Sequence, residues 1–438
     1  MVRWRLDLST IGAMPSDSAP SLVLSFAEAS SVIREHAAQW AAGRAIAEEV
    51  VPLTSAAGRV LAEPVFADRD QPPFDRSTRD GFACRAAELM TQPLRVTGMV
   101  RAGEIWADPL EPGAAVEIMT GAPLPSGADC VVMIEHTQRD GSSLRLAGGR
   151  RLLHGENVVP AASEAAKGEL LLPPGTRIGA RHIAIAASCG YATLKVFRKP
   201  LVAIQATGDE LVEIGETPRP FQIRNSNSYS LAAQVRQSGA EALIQPILRD
   251  NCEATQAAIA HAIHDCGADL LILSGGVSMG RFDFVEEALK NLGAEFFFTG
   301  AKIQPGKPIV FGRLPQTGSH SPTYFFGLPG NPVSTMVTFT LFVHPLLNAL
   351  AGETGGAPRF ALAHLDGELT LKPGLTRFLP ATLETQNLSP SVRPIRWQGS
   401  GDLAGNAKAN CYVVVPGDLD EGRETMQTGE MVSVLLIG

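Results

Sequence analysis

Three short turns carry most of the chemistry this chain offers: TGDE at 207–210, SGGVS at 274–278, and PGNPVS at 329–334. Each follows a hydrophobic run, LVAIQ, DLLIL and TYFF respectively, that reads as a buried strand. Open α/β sheets bind ligands at the carboxyl ends of their strands, so all three turns are expected to face one ligand. In the third turn Gly330 admits close backbone approach, Asn331 suits an N-cap and Pro332 the first helical position, with Pro329 and Ser334 flanking. Such a helix start offers N–H groups to a phosphate, although a plain capped helix fits that string equally well. In the second, Ser274, Gly275, Gly276, Val277 and Ser278 can fold into a nest of amides for a phosphate or carboxylate.

Charged residues punctuate the same stretch. Asp283 falls in the first turn of a helix after the second loop, where it can complement the helix dipole or hold a divalent cation beside a phosphate. Helix-start acids are usually structural, but Asp209 and Glu210 after the first strand support a metal role. Lys302 and Lys307 flank the Pro305-Gly306 turn and could neutralise an oxyanion, although single lysines are usually solvated. This set points to magnesium-dependent phosphate chemistry. Neither a Walker loop nor G-x-G-x-x-G is present, which disfavours a P-loop NTPase or a dinucleotide enzyme. Elsewhere, Asp80 in DRSTRDGFA and Thr120 with Gly121 in MTGAP read as turn residues. His261 and His264 share a helix face without a third ligand.

The elements that must position these residues follow from periodicity. Ser25 and Glu28 form a capping-box pair at the start of a helix reaching Ala47. Short strands between Gly and Pro clusters then suggest a small β-rich domain over 64–160. The segment 166–198 reads as a short helix and a strand returning beside the first helix. From 199 to 352, strands alternate with helices at 226–237, 253–265 and 282–292, and a long helix follows Asn331, the pattern of a doubly wound, mostly parallel α/β domain. Beyond 353, strand-like alternation predicts a β-barrel or sandwich.

A length of 438 residues implies several domains. A net charge of -8 without a Lys/Arg block disfavours nucleic acid as a partner. Six cysteines lack metal-ligand spacing and read as reduced thiols, which points to the cytoplasm. The first 20 residues lack a signal-peptide core and read as a mobile tail. The apolar stretch 333–350 contains His344 and Pro345 and reads as a buried core helix, so no membrane partner is expected.

Taken in order, DGFA at 80–83, MTGAP at 119–123, TGDE at 207–210, RNSNS at 224–228, SGGVSMG with Asp283, PGKP at 305–308, GLPGNPVS and GSGD at 399–402 resemble the MoeA family of molybdopterin molybdenumtransferases, which includes gephyrin E domains. The resemblance runs from about Ser25 to the carboxyl terminus. It implies a discontinuous linking and dimerisation domain (21–63 and 161–198), the small β domain (64–160), a MogA-like α/β domain (199–352) that binds molybdopterin, and a C-terminal β-barrel (353–438). It also implies a homodimer whose cleft joins the α/β domain of one subunit to the small β domain of its partner, which would make Asp80 and Thr120 functional. The implied reaction opens adenylylated molybdopterin, inserts molybdate and releases AMP, with Mg2+ held by Asp209, Glu210 and Asp283. Lys307, Arg377 and Ser400 would meet molybdate. Rival readings are a molybdopterin adenylyltransferase and a non-catalytic gephyrin-like scaffold, and transient contact with other cofactor-biosynthesis proteins is expected. Three departures bear on the site: Arg79 precedes Asp80 and is expected to hold it ionised or pair with it, Gln304 stands where many relatives carry lysine, and Lys408 and Cys411 stand where Arg and Gly are common.

Overall fold

The computed structural model describes residues 22–43, 46–276, 284–315, 322–370, 373–386, 389–417 and 424–437. They fall into two compact units, Glu49–Val196, and Met1–Glu48 joined with Phe197–Gly438.

In the larger unit, a six-stranded sheet runs in the order Glu241–Ile244, Leu201–Ala206, Leu270–Ser274, Thr323–Leu328, Val310–Leu314, Glu295–Phe298. The first four strands are parallel, and Val310–Leu314 runs antiparallel to both its neighbours. The short connection from Val310–Leu314 to Thr323–Leu328 accounts for this, since only antiparallel neighbours can be joined without a crossover. The central runs are buried at nearly every position, yet they still sort by a period of two. Val202, Ile204, Leu270, Ile272, Phe326 and Leu328 pack in one core with the helices Asn227–Gln237 and Pro332–Leu350. Ala203, Leu271, Leu273 and Phe325 pack in another with the helices Cys252–Ala260 and Phe284–Asn291. Both faces of the sheet are therefore covered, the condition under which parallel strands are stable. The helix Pro332–Leu350 is long and apolar enough to cross a membrane, but 78% of its apolar window is buried inside this core.

The first helix, Phe26–Gly43, opens with the expected reciprocal cap: Ser25 N–H donates to Glu28 Oε2 at 2.8 Å and Glu28 N–H donates to Ser25 Oγ at 3.2 Å. Phe26 meets the edges of Phe342 and Phe378, so this helix belongs to the α/β core. The segment 166–198 pairs with 53–66, through Leu170–Leu172 against Val65–Phe66 and bridges from Val60 to Arg177 and Leu61 to Val196.

The last strands close into a five-membered barrel. Thr376–Gln386, Ser389–Pro394, Phe360–Leu365, Met431–Leu436 and Cys411–Val415 follow one another, and the last pairs back to the first. Alternate residues such as Ala363, Leu379, Val392, Val413 and Val434 fill its interior. The barrel is joined to the α/β part by Ile303–Gln304, which pairs in parallel with Thr376 and Arg377.

Within Glu49–Val196, a second six-stranded sheet has the order Cys130–Met133, Gly81–Cys84, Ala114–Ile118, Leu94–Val100, Ser143–Leu146, Thr137–Asp140. Cys84 and Cys130 lie opposite each other on paired strands as free, buried thiols, Sγ to Sγ 3.7 Å. The hydrogen bond with Cys84, and then burial, push the Cys130 pKa up, so the thiol stays protonated.

Phe326 is fully buried on the third central strand and stacks on Phe311 with ring centroids 4.7 Å apart. Truncation of a ring in this position costs about 3–5 kcal/mol. Phe326→Ala is expected to lower the urea midpoint of the α/β unit accordingly. An unchanged midpoint would show that the sheet does not depend on this layer.

Candidate active site

The geometry begins with strand register. Ala206 pairs with Ser274, and Ser274 with Leu328, so the three central strands end level with one another. The turns that follow are therefore neighbours along one sheet edge. They are also bonded together: Thr207 N–H donates to Ser274 O at 3.0 Å, and Gly275 N–H donates to Leu328 O at 3.3 Å. Gly275 and Gly276 have φ of +92° and +66°, and a β-carbon on Gly275 would lie 2.5 Å from Thr207 O. Only glycine satisfies both conditions. Val277, Ser278 and Asp283 lie outside the described residues.

At the third turn Pro329 is buried and Gly330 and Asn331 are exposed, with Pro332 at the first helical position as expected. The Asn331 side chain makes no capping bond. Val333 N–H donates to Ser400 O at 3.0 Å, which brings Ser400 of the barrel region onto this helix start. The N–H groups offered to an anion are thus fewer than the sequence suggested, because Pro332 has none and that of Val333 is taken. Ser334 is 3% exposed, and its carbonyl accepts from Thr338 Oγ1 at 2.8 Å.

The PGKP turn packs on this same helix. Gly306 has φ +107°, and a β-carbon there would lie 2.4 Å from Thr338 Cγ2, while Pro305 is buried beside it. Lys302 and Lys307 are exposed. Backbone bonds hold both: Lys302 N–H donates to Leu24 O at 2.7 Å, and Lys307 O accepts from Ala301 and Ile309 N–H, each at 3.0 Å. Gln304 and Arg377 are register partners on adjacent strands. The Arg377 guanidinium is half-buried, and desolvation lowers its pKa. Its Nη1 donates to Thr370 O at 3.2 Å, while Nε is buried without a partner among the described residues.

Asp209 and Glu210 are exposed at the first turn. The Glu210 carboxylate folds back over Gly208, where a β-carbon would lie 2.7 Å from Oε2. Nearby, burial raises the pKa of Asp250, with the Asp209 and Glu210 charges adding to the effect. Sequence reading missed Asp250, whose approach depends on the fold of 245–251. Asp209 and Glu210 supply hard oxygen donors, and the negative charge crowded at this turn suits a divalent cation. Among the described residues no group of three His, Cys, Asp or Glu side chains forms a complete metal cage. His261 instead meets Asp265 at 2.7 Å on an exposed helix face.

In the unit Glu49–Val196, strand pairing of Gly81 with Ile118 brings two expected residues into contact. Asp80 Oδ1 accepts from Thr120 N–H at 2.7 Å and from Thr120 Oγ1 at 2.8 Å, while Gly121, at φ +83°, donates its N–H to Ser77 O at 2.8 Å. These two Thr120 bonds hold the Asp80 carboxyl below its ordinary pKa. Arg79 has no part in that lowering; its backbone N–H donates to Ser77 Oγ at 3.2 Å.

Comparison with known proteins agrees with this architecture. Family models described as the MoeA N-terminal region (domain I and II), a probable molybdopterin binding domain, and the MoeA C-terminal region (domain IV) match residues 24–190, 203–349 and 363–437. The chain belongs to the MoeA family. Proteins named molybdopterin molybdenumtransferase from Nostoc sp. and Bacillus subtilis are each 36% identical to it, over 88% of both chains for the first and over 89% of this chain and 90% of the relative for the second. A crystal structure of the molybdopterin biosynthesis MoeA protein of Pyrococcus horikoshii OT3 superposes with TM-score 0.75 at 27% identity, covering 95% of this chain and all of that one. Another Pyrococcus MoeA crystal structure gives TM-score 0.68 at 32% identity, covering 94% and 99%. The TGDE, SGGVS and PGNPVS turns all fall inside the match to the molybdopterin binding domain.

Thr120→Ala removes one of the two bonds to Asp80 and leaves the backbone bond. The Asp80 carboxyl is expected to titrate closer to its ordinary range, by carboxyl-carbon NMR. An unmoved titration would show that the Thr120 hydroxyl does not hold the acid.

Proposed function

We propose that this MoeA family member inserts molybdenum into adenylylated molybdopterin, releasing AMP and molybdenum cofactor. The observation that carries the reading is the level ending of three parallel strands. It places TGDE, SGG and PGN side by side in a chain whose relatives are named molybdopterin molybdenumtransferase.

Each group then has a role. Backbone amides of the Ser274–Ser278 turn and the Ser334 helix turn receive phosphate oxygens. Asp209 and Glu210, with Asp283, hold Mg2+. When bound, that ion offsets the charge on phosphate and leaving AMP. Lys307 and Lys302, placed by the buried Pro305-Gly306 turn, present positive charge to molybdate, with Arg377 and Ser400 contributed from the barrel side. Preorganised charge, rather than a covalent nucleophile, lowers the barrier. The protein works in the cytoplasm as a homodimer, and the Asp80–Thr120 pair of one subunit serves the α/β site of its partner. The four-part division into linking, small β, α/β and barrel domains is the arrangement this reading uses.

Purified protein given adenylylated molybdopterin and Mg2+ is expected to release AMP only when molybdate is added. Asp283→Asn is expected to reduce that release by about 10²–10³-fold, while the dimer persists in sedimentation. Accumulation of adenylylated product from molybdopterin and ATP would identify an adenylyltransferase instead. A folded dimer without turnover would favour the scaffold reading.

A further inference from the structure

Asn227 begins the helix Asn227–Gln237, and its side chain reaches two of the three turns at once. Nδ2 donates to Ser274 Oγ at 3.0 Å and to Gly330 O at 2.7 Å. The Gly330 carbonyl can only accept, so the amide nitrogen must face it and Oδ1 must face away. Oδ1 is then buried without a partner among the described residues. Buried, unpaired oxygens are rare, and one tolerated here indicates that the two Nδ2 bonds dictate the side-chain orientation. Helix Asn227–Gln237 packs against Leu201–Ala206 and Pro332–Leu350 through Leu231, Ala232 and Val235, which gives the side chain a rigid base.

Without Asn227, the second and third turns would be joined mainly by the long Gly275 N–H to Leu328 O bond of 3.3 Å. Glycines with positive φ tolerate many backbone conformations, so the second turn has little stiffness of its own. Because Ser274 Oγ accepts from Asn227, its O–H proton is directed elsewhere and is available as a donor. Ser274 itself is 2% exposed.

We infer that Asn227 is a positioning residue that clamps the Ser274–Gly276 and Gly330 turns at one separation, making a single cradle for the phosphate-bearing part of the pterin nucleotide. This rests on the proposed molybdenumtransferase reading of the same turns, and it assigns a role to the RNSNS string that its recognition as a family marker left open.

The test compares wild type with Asn227→Ala and Ser274→Ala, measuring AMP affinity by calorimetry with Mg2+ and turnover with adenylylated molybdopterin and molybdate. A clamp acts on binding of ground state and transition state alike, so Asn227→Ala should raise the AMP Kd and the pterin-nucleotide KM together, about tenfold, with kcat within about twofold of wild type. Ser274→Ala removes one of the two anchors and should raise both by a smaller factor in the same direction. A purely structural role would reduce the active fraction, lowering kcat with KM unchanged, and that result overturns the inference. So does an unchanged Kd and KM in folded Asn227→Ala. If Asn227→Ala does not fold, Ser274→Ala decides alone, and wild-type Kd and KM in that variant overturn the clamp. Wild type that binds AMP but turns over no pterin nucleotide would contradict the functional reading, while the Kd comparison still judges the clamp.

Discussion

The level pairing of Ala206 with Ser274 and of Ser274 with Leu328 is the constraint on which the rest depends. A slip of one residue in any of these strands would send its buried side chains to the wrong face. Here both faces are buried, by Leu231 and Val333 on one side and by Ile259 and Val285 on the other. Core packing therefore locks the register, and the register sets where the turns lie. The site's precision is borrowed from hydrophobic contacts that touch no ligand.

Around that edge the chain uses glycine where its backbone passes close to another part of the chain, and it draws charge from the barrel side. Gly275 passes Thr207, and Gly306 passes Thr338, at separations no β-carbon allows. The second contact seats the lysine-bearing turn on the helix that leaves the third strand. From the barrel side, the Ser400 carbonyl takes the Val333 N–H, and Arg377 stands in register with Gln304. The closed barrel thus bears directly on the electrostatics of the α/β edge. A different balance holds in the unit Glu49–Val196, where Thr120 alone supplies both bonds to Asp80 Oδ1.

Much of this was legible in the sequence because the relevant signals are local. The apolar runs, the Ser25–Glu28 cap and the Gly-rich turns each announce an element through spacing within a few residues. The doubly wound domain followed from their alternation. Less legible were features set by distant chain segments. Asn227 carries no chemical meaning until helix packing brings it to Gly330, 103 positions away. Asp250 meets the first turn only after 245–251 folds back. The place of Phe26–Gly43 on the α/β core depends on rings at 342 and 378, which periodicity cannot reveal. The expected influence of Arg79 on Asp80 came from sequence adjacency, but the two lie in a bend before the strand Gly81–Cys84, and Thr120, brought close by the pairing of Gly81 with Ile118, takes the acid instead.

The central claim is that three strand-end turns form one phosphate-holding edge. A crystal structure of the protein with AMP, magnesium and molybdate tests it most directly. The account predicts the AMP phosphate at about 3 Å from backbone amides of the Gly275–Gly276 turn, with magnesium on Asp209 or Glu210. AMP phosphate bound away from all three turns would contradict it.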